Sequence, residues 1–253
     1  MSYSKPSSSI TEIRDVLGPV IEHIDQNFEL ARKYVPKYSF GVEDIDTKTN
    51  GIPDNAITVI TSVKMALCQK LIFHSIYQNS INGKYNVIVC NTTISAESMV
   101  RHFISTYSNI DDNKLITGRL NDDDWSKLTH GVALLSESNI RLCSSHLFDL
   151  DDFICDMKNH ITKYQTKLIF IDNLHALGAD IHQTMKRLHK LATQGDICII
   201  ASYQYIDIST MISDGVSLYS DLVLSISDSD NQKQISILKS KQKYIDSDFD
   251  AIV

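Results

Sequence analysis

The sequence predicts an α/β fold: a mostly parallel sheet covered by helices on both faces, with an antiparallel hairpin at its C-terminal edge. Two observations carry that expectation. Short, continuously apolar runs rich in Val and Ile alternate with stretches whose apolar residues recur at helical spacing, the pattern of a parallel sheet buried on both sides. The last two runs are separated only by the polar loop 228–233, too short for a crossover, so they must pair as a hairpin.

The elements follow in order. Apolar strands are expected at Ile57–Ile60, Asn86–Cys90, Ile140–Cys143, Leu168–Ile171, Ile197–Ser202, Leu222–Ile226 and Gln234–Leu238. Helices are expected at Cys68–Asn79, Ser95–Ser105, Asp122–Leu135, Asp149–Thr162 and Ile181–Thr193. Residues 1–9 are polar and expected to be disordered. Thr11 then caps an N-terminal helical segment, 10–37, whose apolar residues Ile13, Leu17, Val20, Ile21, Ile24 and Phe28 form one narrow stripe. Pro36 and Gly41 punctuate its end and read as a hinge, and residues 38–253 form one domain.

Composition bounds the function. Hydrophobic residues make up 43% and charged residues 22% of 253, enough for a real core. A formal net charge of −7 argues against a surface that coats nucleic acid without specificity, although it leaves room for a local basic site. The five cysteines show no metal-ligand spacing, so no metal site is expected. Cys90, Cys143 and Cys198 lie in apolar runs and read as buried thiols of a reducing compartment. With no signal peptide and no apolar stretch of membrane length, a cytoplasmic protein without membrane contact is expected.

Several landmarks, in order, resemble the C-terminal motor domain of DnaB-family replicative helicases. Gly41 to Asp46 followed by Gly51, Ile52 and Pro53 is similar to the family's opening motif "TGF-x-x-LD … GL-x-P". The strand Val87 to Cys90, with Ser95, Ala96 and Glu97 after it, resembles the strand before the "MSAEQLV" helix. Gly118 to Trp125 is close to "G-x-L-x-D-x-D-W", and Leu168 to Leu174 resembles the Walker B strand. Ala201 to Gln204, Asp221 to Leu224, and Lys239, Lys241 and Lys243 complete the series. The resemblance covers about residues 10 to 245. It implies a RecA-like P-loop NTPase fold, with segment 10–37 as a linker helix that docks on an adjacent subunit. The family's N-terminal collar domain is expected to be absent.

The residues that would make such a domain a motor depart from the pattern. A P-loop needs glycines so that backbone N–H groups approach phosphate, a lysine for the β- and γ-phosphates, and a Ser or Thr hydroxyl for Mg²⁺. Residues 61–70 contain no glycine, and Leu67, Cys68 and Gln69 stand where Gly, Lys and Thr are required. Lys64 and Lys70 are the alternative phosphate ligands. Thr93 falls at the catalytic glutamate, and a hydroxyl there accepts no proton at neutral pH. Glu97, one turn on, is expected to face solvent.

The resemblance makes Asp172 the Walker B carboxylate and Gln204 the nucleotide-sensing glutamine. Read from the residues alone, Asp172 is a strand-end turn cap and Gln204 a polar strand end. Lys241 and Lys243 stand for the basic pair extended into a neighbour's ATP site, or else for charges guarding an edge strand. The segment 206–220 contains no Lys or Arg and carries Asp207 and Asp214, which disfavours DNA binding. The resemblance places the family's DNA loops at 176–180 and 206–220, both shortened here, and His175 and His182 lie near the first.

Gly41, Asp46, Gly51 and Trp125, the landmarks expected to define the fold, remain while the motor residues are lost together. The expectation is a non-catalytic helicase-like interaction or regulatory protein with no cofactor. It would assemble with itself or with a replicative helicase through the 10–37 stripe. The alternative is a hexameric ATP-dependent DNA helicase, using ATP and Mg²⁺ in a non-standard site.

Overall fold

A computed structural model describes residues 36–91, 94–144, 149–178, 180–204, 214–229, 232–240 and 248–250, together with Ile13, Leu17, Gly18, Val20 and Ile21. The chain divides into two units, 1–35 and 36–253. In the first, those five residues are helical, and Ile13, Leu17, Val20 and Ile21 are exposed. Ile24 and Phe28 of the expected stripe lie outside the described residues, as do Thr93, Lys241, Lys243 and the segment 1–9.

The second unit opens with α1 (Glu43–Thr49), a helix absent from those expected, whose only large apolar residue is Ile45. The turn before α1 is held by Asp46. Its carboxyl accepts from Ser39 Oγ at 2.5 Å, Phe40 N at 2.7 Å and Gly41 N at 3.2 Å, while burial raises its pKa above the usual carboxyl value. Gly51 follows at φ +77°, where an added Cβ would lie 2.3 Å from the Tyr38 carbonyl oxygen. Gly41, at φ +80°, and Gly51 supply backbone conformations that favour glycine, and Asp46 supplies the acceptor that holds the turn.

Strand β1 (Ile57–Thr61) leads into α2 (Met65–Tyr77), which closes in a π-helical turn, Gln78–Asn82. Then come β2 (Val87–Asn91), α3 (Ala96–Ser108), α4 (Asp112–Thr117), α5 (Asp122–Ser136) and β3 (Ile140–Ser144). They are followed by α6 (Leu150–Tyr164), β4 (Leu168–Asp172), a 3-10 turn at Leu174–Leu177, α7 (Ile181–Gly195) and β5 (Cys198–Tyr203). The short α8 (Val216–Tyr219) precedes β6 (Leu222–Ser229), β7 (Gln232–Ser240) and β8 (Asp248–Asp250).

The strands form one sheet in the order β3-β2-β4-β5-β1-β6-β7-β8. Pairing is parallel from β3 to β6, and antiparallel for β6–β7 and β7–β8. Every residue of β1, β2, β4 and β5 is buried, as continuous apolar runs require when helices cover both faces. One core packs α2 and α3 on one face, and the other packs α6 and α7 on the opposite face. Side-chain caps start α3 (Ser95), α5 (Asn121, in a capping box with Asp124), α6 (Asp149) and α7 (Asp180). Helix α2 starts at Lys64 without one.

Trp125 corrects an expectation. It is 56% exposed on α5 and braces no core, so its place is on the surface. Cys90 and Cys198 are buried as expected, whereas Cys143 is only half-buried because β3 is the sheet edge.

Candidate functional site

Strands β1, β2, β4 and β5 end side by side, and their C-terminal residues meet. Thr61 pairs with Tyr203 and Asn91 with Asp172 in strand register, and Thr61 Oγ1 donates to the Tyr203 carbonyl at 2.7 Å. In parallel α/β sheets this rim is where ligands bind.

At its centre lies the Asp172 carboxyl, 6% exposed. It accepts from Gln69 Nε2 and Asn91 Nδ2 at Oδ2 and from Ser202 Oγ at Oδ1, each at 3.0 Å. Asn91 also accepts from Ile94 N at 2.9 Å, tying the segment after β2 to the cluster. Ser202 accepts from Asn173 N at 2.7 Å. Asn173 has φ +71° and ψ +94°, and its side chain accepts from His175 N at 3.2 Å, so Asn173, rather than Asp172, caps the turn after β4. Asn91 and Ser202 were not singled out from the sequence. The available signal was a polar residue near the C-terminal end of an apolar strand, next to the strand that carries Asp172.

The junction between β1 and α2 is short. The P-loop frame that places its lysine at Cys68 spans residues 62–69, yet residues 65–69 already lie in α2 and only Ser62, Val63 and Lys64 link strand to helix. Cys68 is fully buried; burial, with the nearby Asp172 carboxyl, pushes its thiol up to about 12. It therefore stays neutral where a phosphate ligand would be cationic. Leu67 packs on the core of the α2 face, and Lys64 and Lys70 are exposed. Gln69, in the position of the metal-binding hydroxyl, donates directly to Asp172.

The other candidates have ordinary partners. Gln204 Nε2 donates to the Val63 carbonyl at 3.2 Å. His175 stacks on Tyr203 with ring centroids 5.0 Å apart, and its Nε2 lies 3.1 Å from the Gln204 carbonyl. His182 Nε2 lies 3.3 Å from the Tyr219 hydroxyl. Glu97 faces solvent, and Asp214 accepts from the Tyr203 hydroxyl at 2.5 Å. Among the described residues no group of three His, Cys, Asp or Glu side chains is placed to hold a metal, and no helix is long and apolar enough to cross a membrane.

The DnaB-like helicase C-terminal domain matches residues 38–247. The chain belongs to this family. Among its relatives, the replicative DNA helicase DnaB of Buchnera aphidicola subsp. Baizongia pistaciae is 23% identical over 137 residues, covering 51% of this chain and 28% of that protein. DnaB of Geobacillus stearothermophilus is 22% identical over 217 residues, covering 81% of this chain and 47% of that protein. The chain thus spans under half the length of these relatives. Among solved structures, an isolated ATPase domain superposes with a TM-score of 0.71 at 16% identity, covering 96% of this chain and 95% of that one. A DnaB-like replicative helicase, studied with its interactions with primase, gives 0.75 at 17% identity, covering 98% and 66%. Both establish the DnaB-type, RecA-like fold of this helicase-like domain.

Proposed function

We propose that this chain is a DnaB-family domain with a degenerate Walker A segment, retained as a non-catalytic interaction or regulatory protein linked to DNA replication. One observation carries the reading. The Asp172 carboxyl, which would orient a Mg²⁺ water shell, is tied by neutral donors from Gln69, Asn91 and Ser202. Gln69 bridges by a direct hydrogen bond the gap that a metal spans between Walker A and Walker B in a working site. A metal would have to compete with these three hydrogen bonds, two of them from the buried side chains of Asn91 and Ser202. The neutral, buried Cys68 supports the same reading, since phosphoryl transfer rests on charge stabilisation. No cofactor is required by this role.

Assembly is the second part of the proposal. Ile13, Leu17, Val20 and Ile21 are exposed on one helical segment, and Val100, Ile116, Trp125 and Val132 are exposed on α3, α4 and α5. The stripe of one copy docking on the α3–α5 face of another, or of a replicative helicase, would bury apolar surface on both sides. At about 25 cal/mol per Å², several hundred Å² yields roughly 10 kcal/mol before the cost of association. Size-exclusion chromatography with light scattering tests it. The chain should elute as an oligomer, or shift when mixed with a replicative helicase, and Leu17→Asp with Ile21→Asp should abolish the assembly while the domain stays folded. A monomer at tens of micromolar that leaves the helicase profile unchanged would refute the docking.

A further inference from the structure

Helix α7 runs against the trend of its chain. The protein carries 31 acidic against 24 basic residues, yet α7 holds Lys186, Arg187 and Lys190 and contains no Asp or Glu. Its buried face, which includes Met185, Leu188 and Ala192, packs into the core, so these cations take no part in that packing. With Lys158 of α6 they surround a groove of about 710 Å³ between the two helices. That is the size of a small-molecule site.

Three features shape the groove for an anion. Lys186 and Lys190 lie one turn apart on the same side of α7, an arrangement of like charges that destabilises a helix. Arg187 pairs with Asp151, but among the described residues Lys158, Lys186 and Lys190 have no carboxylate within ion-pair reach. The acid at the groove's end, Asp180, is engaged as the α7 cap, accepting from Gln183 N at 2.9 Å. Finally, the floor residues Ile154 and Leu191 are only 7% and 3% exposed, and no aromatic ring other than the His182 imidazole lines the site. An apolar peptide anchor finds little surface to bury there and a base finds no Phe, Tyr or Trp to stack on, so the attraction is electrostatic.

We propose that the α6–α7 groove binds a ligand carrying linked phosphate groups, whether a free polyphosphate or a run of nucleic-acid backbone. Residues four apart rise about 6 Å along a helix, which lets Lys186 and Lys190 meet different phosphates of a linked pair. Lys158 closes the groove from the opposite helix, and Arg187 offers a planar fork that a phosphate can share with or take from the exposed Asp151. None of these residues belongs to the Asp172 cluster, so the proposal stands apart from the reading of that cluster.

Calorimetric titration of the full chain with inorganic triphosphate, an oligo-dT strand and poly-glutamate, at fixed ionic strength and without Mg²⁺, tests it. Triphosphate or oligo-dT should bind, and Lys186→Ala with Lys190→Ala should weaken that binding at least tenfold. The unliganded double variant should melt no lower than the parent, because repulsion has been removed; this separates a lost site from a lost fold. Tighter binding of oligo-dT, with log K falling by about 0.7 per phosphate contacted for each unit of log salt, identifies a strand as the source. Binding of triphosphate alone identifies a free polyphosphate. The proposal is overturned if neither phosphate probe binds, if poly-glutamate binds as tightly as either, or if the double variant binds like the parent. Sensitivity instead to Lys64→Ala with Lys70→Ala would overturn it in favour of a phosphate site beside α2, contradicting the non-catalytic reading as well.

Discussion

Replacing Asp172 with Ala separates a structural carboxyl from one kept for metal chemistry. The side chain accepts from Gln69, Asn91 and Ser202, each at 3.0 Å. Gln69 is half-buried and can turn to water, but Asn91 and Ser202 are 2% and 0% exposed. Alanine removes the hydrogen bond each of them makes to Asp172, at about 1–3 kcal/mol each, partly offset because a buried polar group is also removed. The net loss should be about 3 kcal/mol. For a domain of this size that lowers the melting temperature by about 6–12 °C. In urea it should shift the unfolding midpoint without changing the slope. Asp172→Asn keeps one acceptor oxygen and should cost about half as much. A carboxyl held in place for a metal commonly costs stability, so its removal is neutral or stabilising. An Asp172→Ala protein as stable as the parent would therefore refute the structural role of the cluster.

Three further outcomes follow from the same geometry. Changing Leu67, Cys68 and Gln69 to Gly, Lys and Thr should not restore phosphate release above background. It should also destabilise the fold by several kcal/mol, because a glycine enters α2 and a lysine is forced into a fully buried site; turnover in that variant would show that the missing groups are supplied elsewhere. Gly51→Ala, with its Cβ 2.3 Å from the Tyr38 oxygen, should cost about 3 kcal/mol or more. Gly118→Ala, at φ +68° but with nothing within 4 Å, should cost only about 1–2 kcal/mol, and urea midpoints distinguish the two. The Lys114 ammonium, with the Asn121 N–H, holds the Asp124 carboxyl below its usual range. Its stabilising effect is complete above the unfolded value near pH 4 and is lost as pH falls through the depressed folded value. Asp124→Asn should flatten the acid limb of the stability curve below about pH 4, and an unchanged limb would count against the pair.

The strands were legible because each is a continuous apolar run that only a doubly covered sheet can bury, and the long helices because their apolar spacing is regular. Helix α1 escaped notice because its turn is held by Asp46 and two backbone N–H groups rather than by an apolar face. Strand β8 is three residues long, with aspartates on either side of Phe249, too short to show a period. The site was half legible. Its departures at Leu67, Cys68 and Gln69 could be read as losses against a known pattern, but the bond Gln69 gains to Asp172 joins residues 103 apart in sequence, and no local signal announces it. Asn91 and Ser202 acquire meaning only when the sheet order sets their strands on either side of β4. The basic groove was hidden because its cations come from two helices within an acidic chain.

Steady-state phosphate release from ATP–Mg²⁺, with and without single-stranded DNA, tests the central claim most directly. Parent and Asp172→Asn proteins are compared, each carrying Lys186→Ala and Lys190→Ala so that the groove does not contribute. The account predicts the same background rate in both, unaltered by DNA or by mixing with a replicative helicase that lacks its own activity. A rate above background that disappears on changing Asp172 would show that the site turns over ATP and would contradict it.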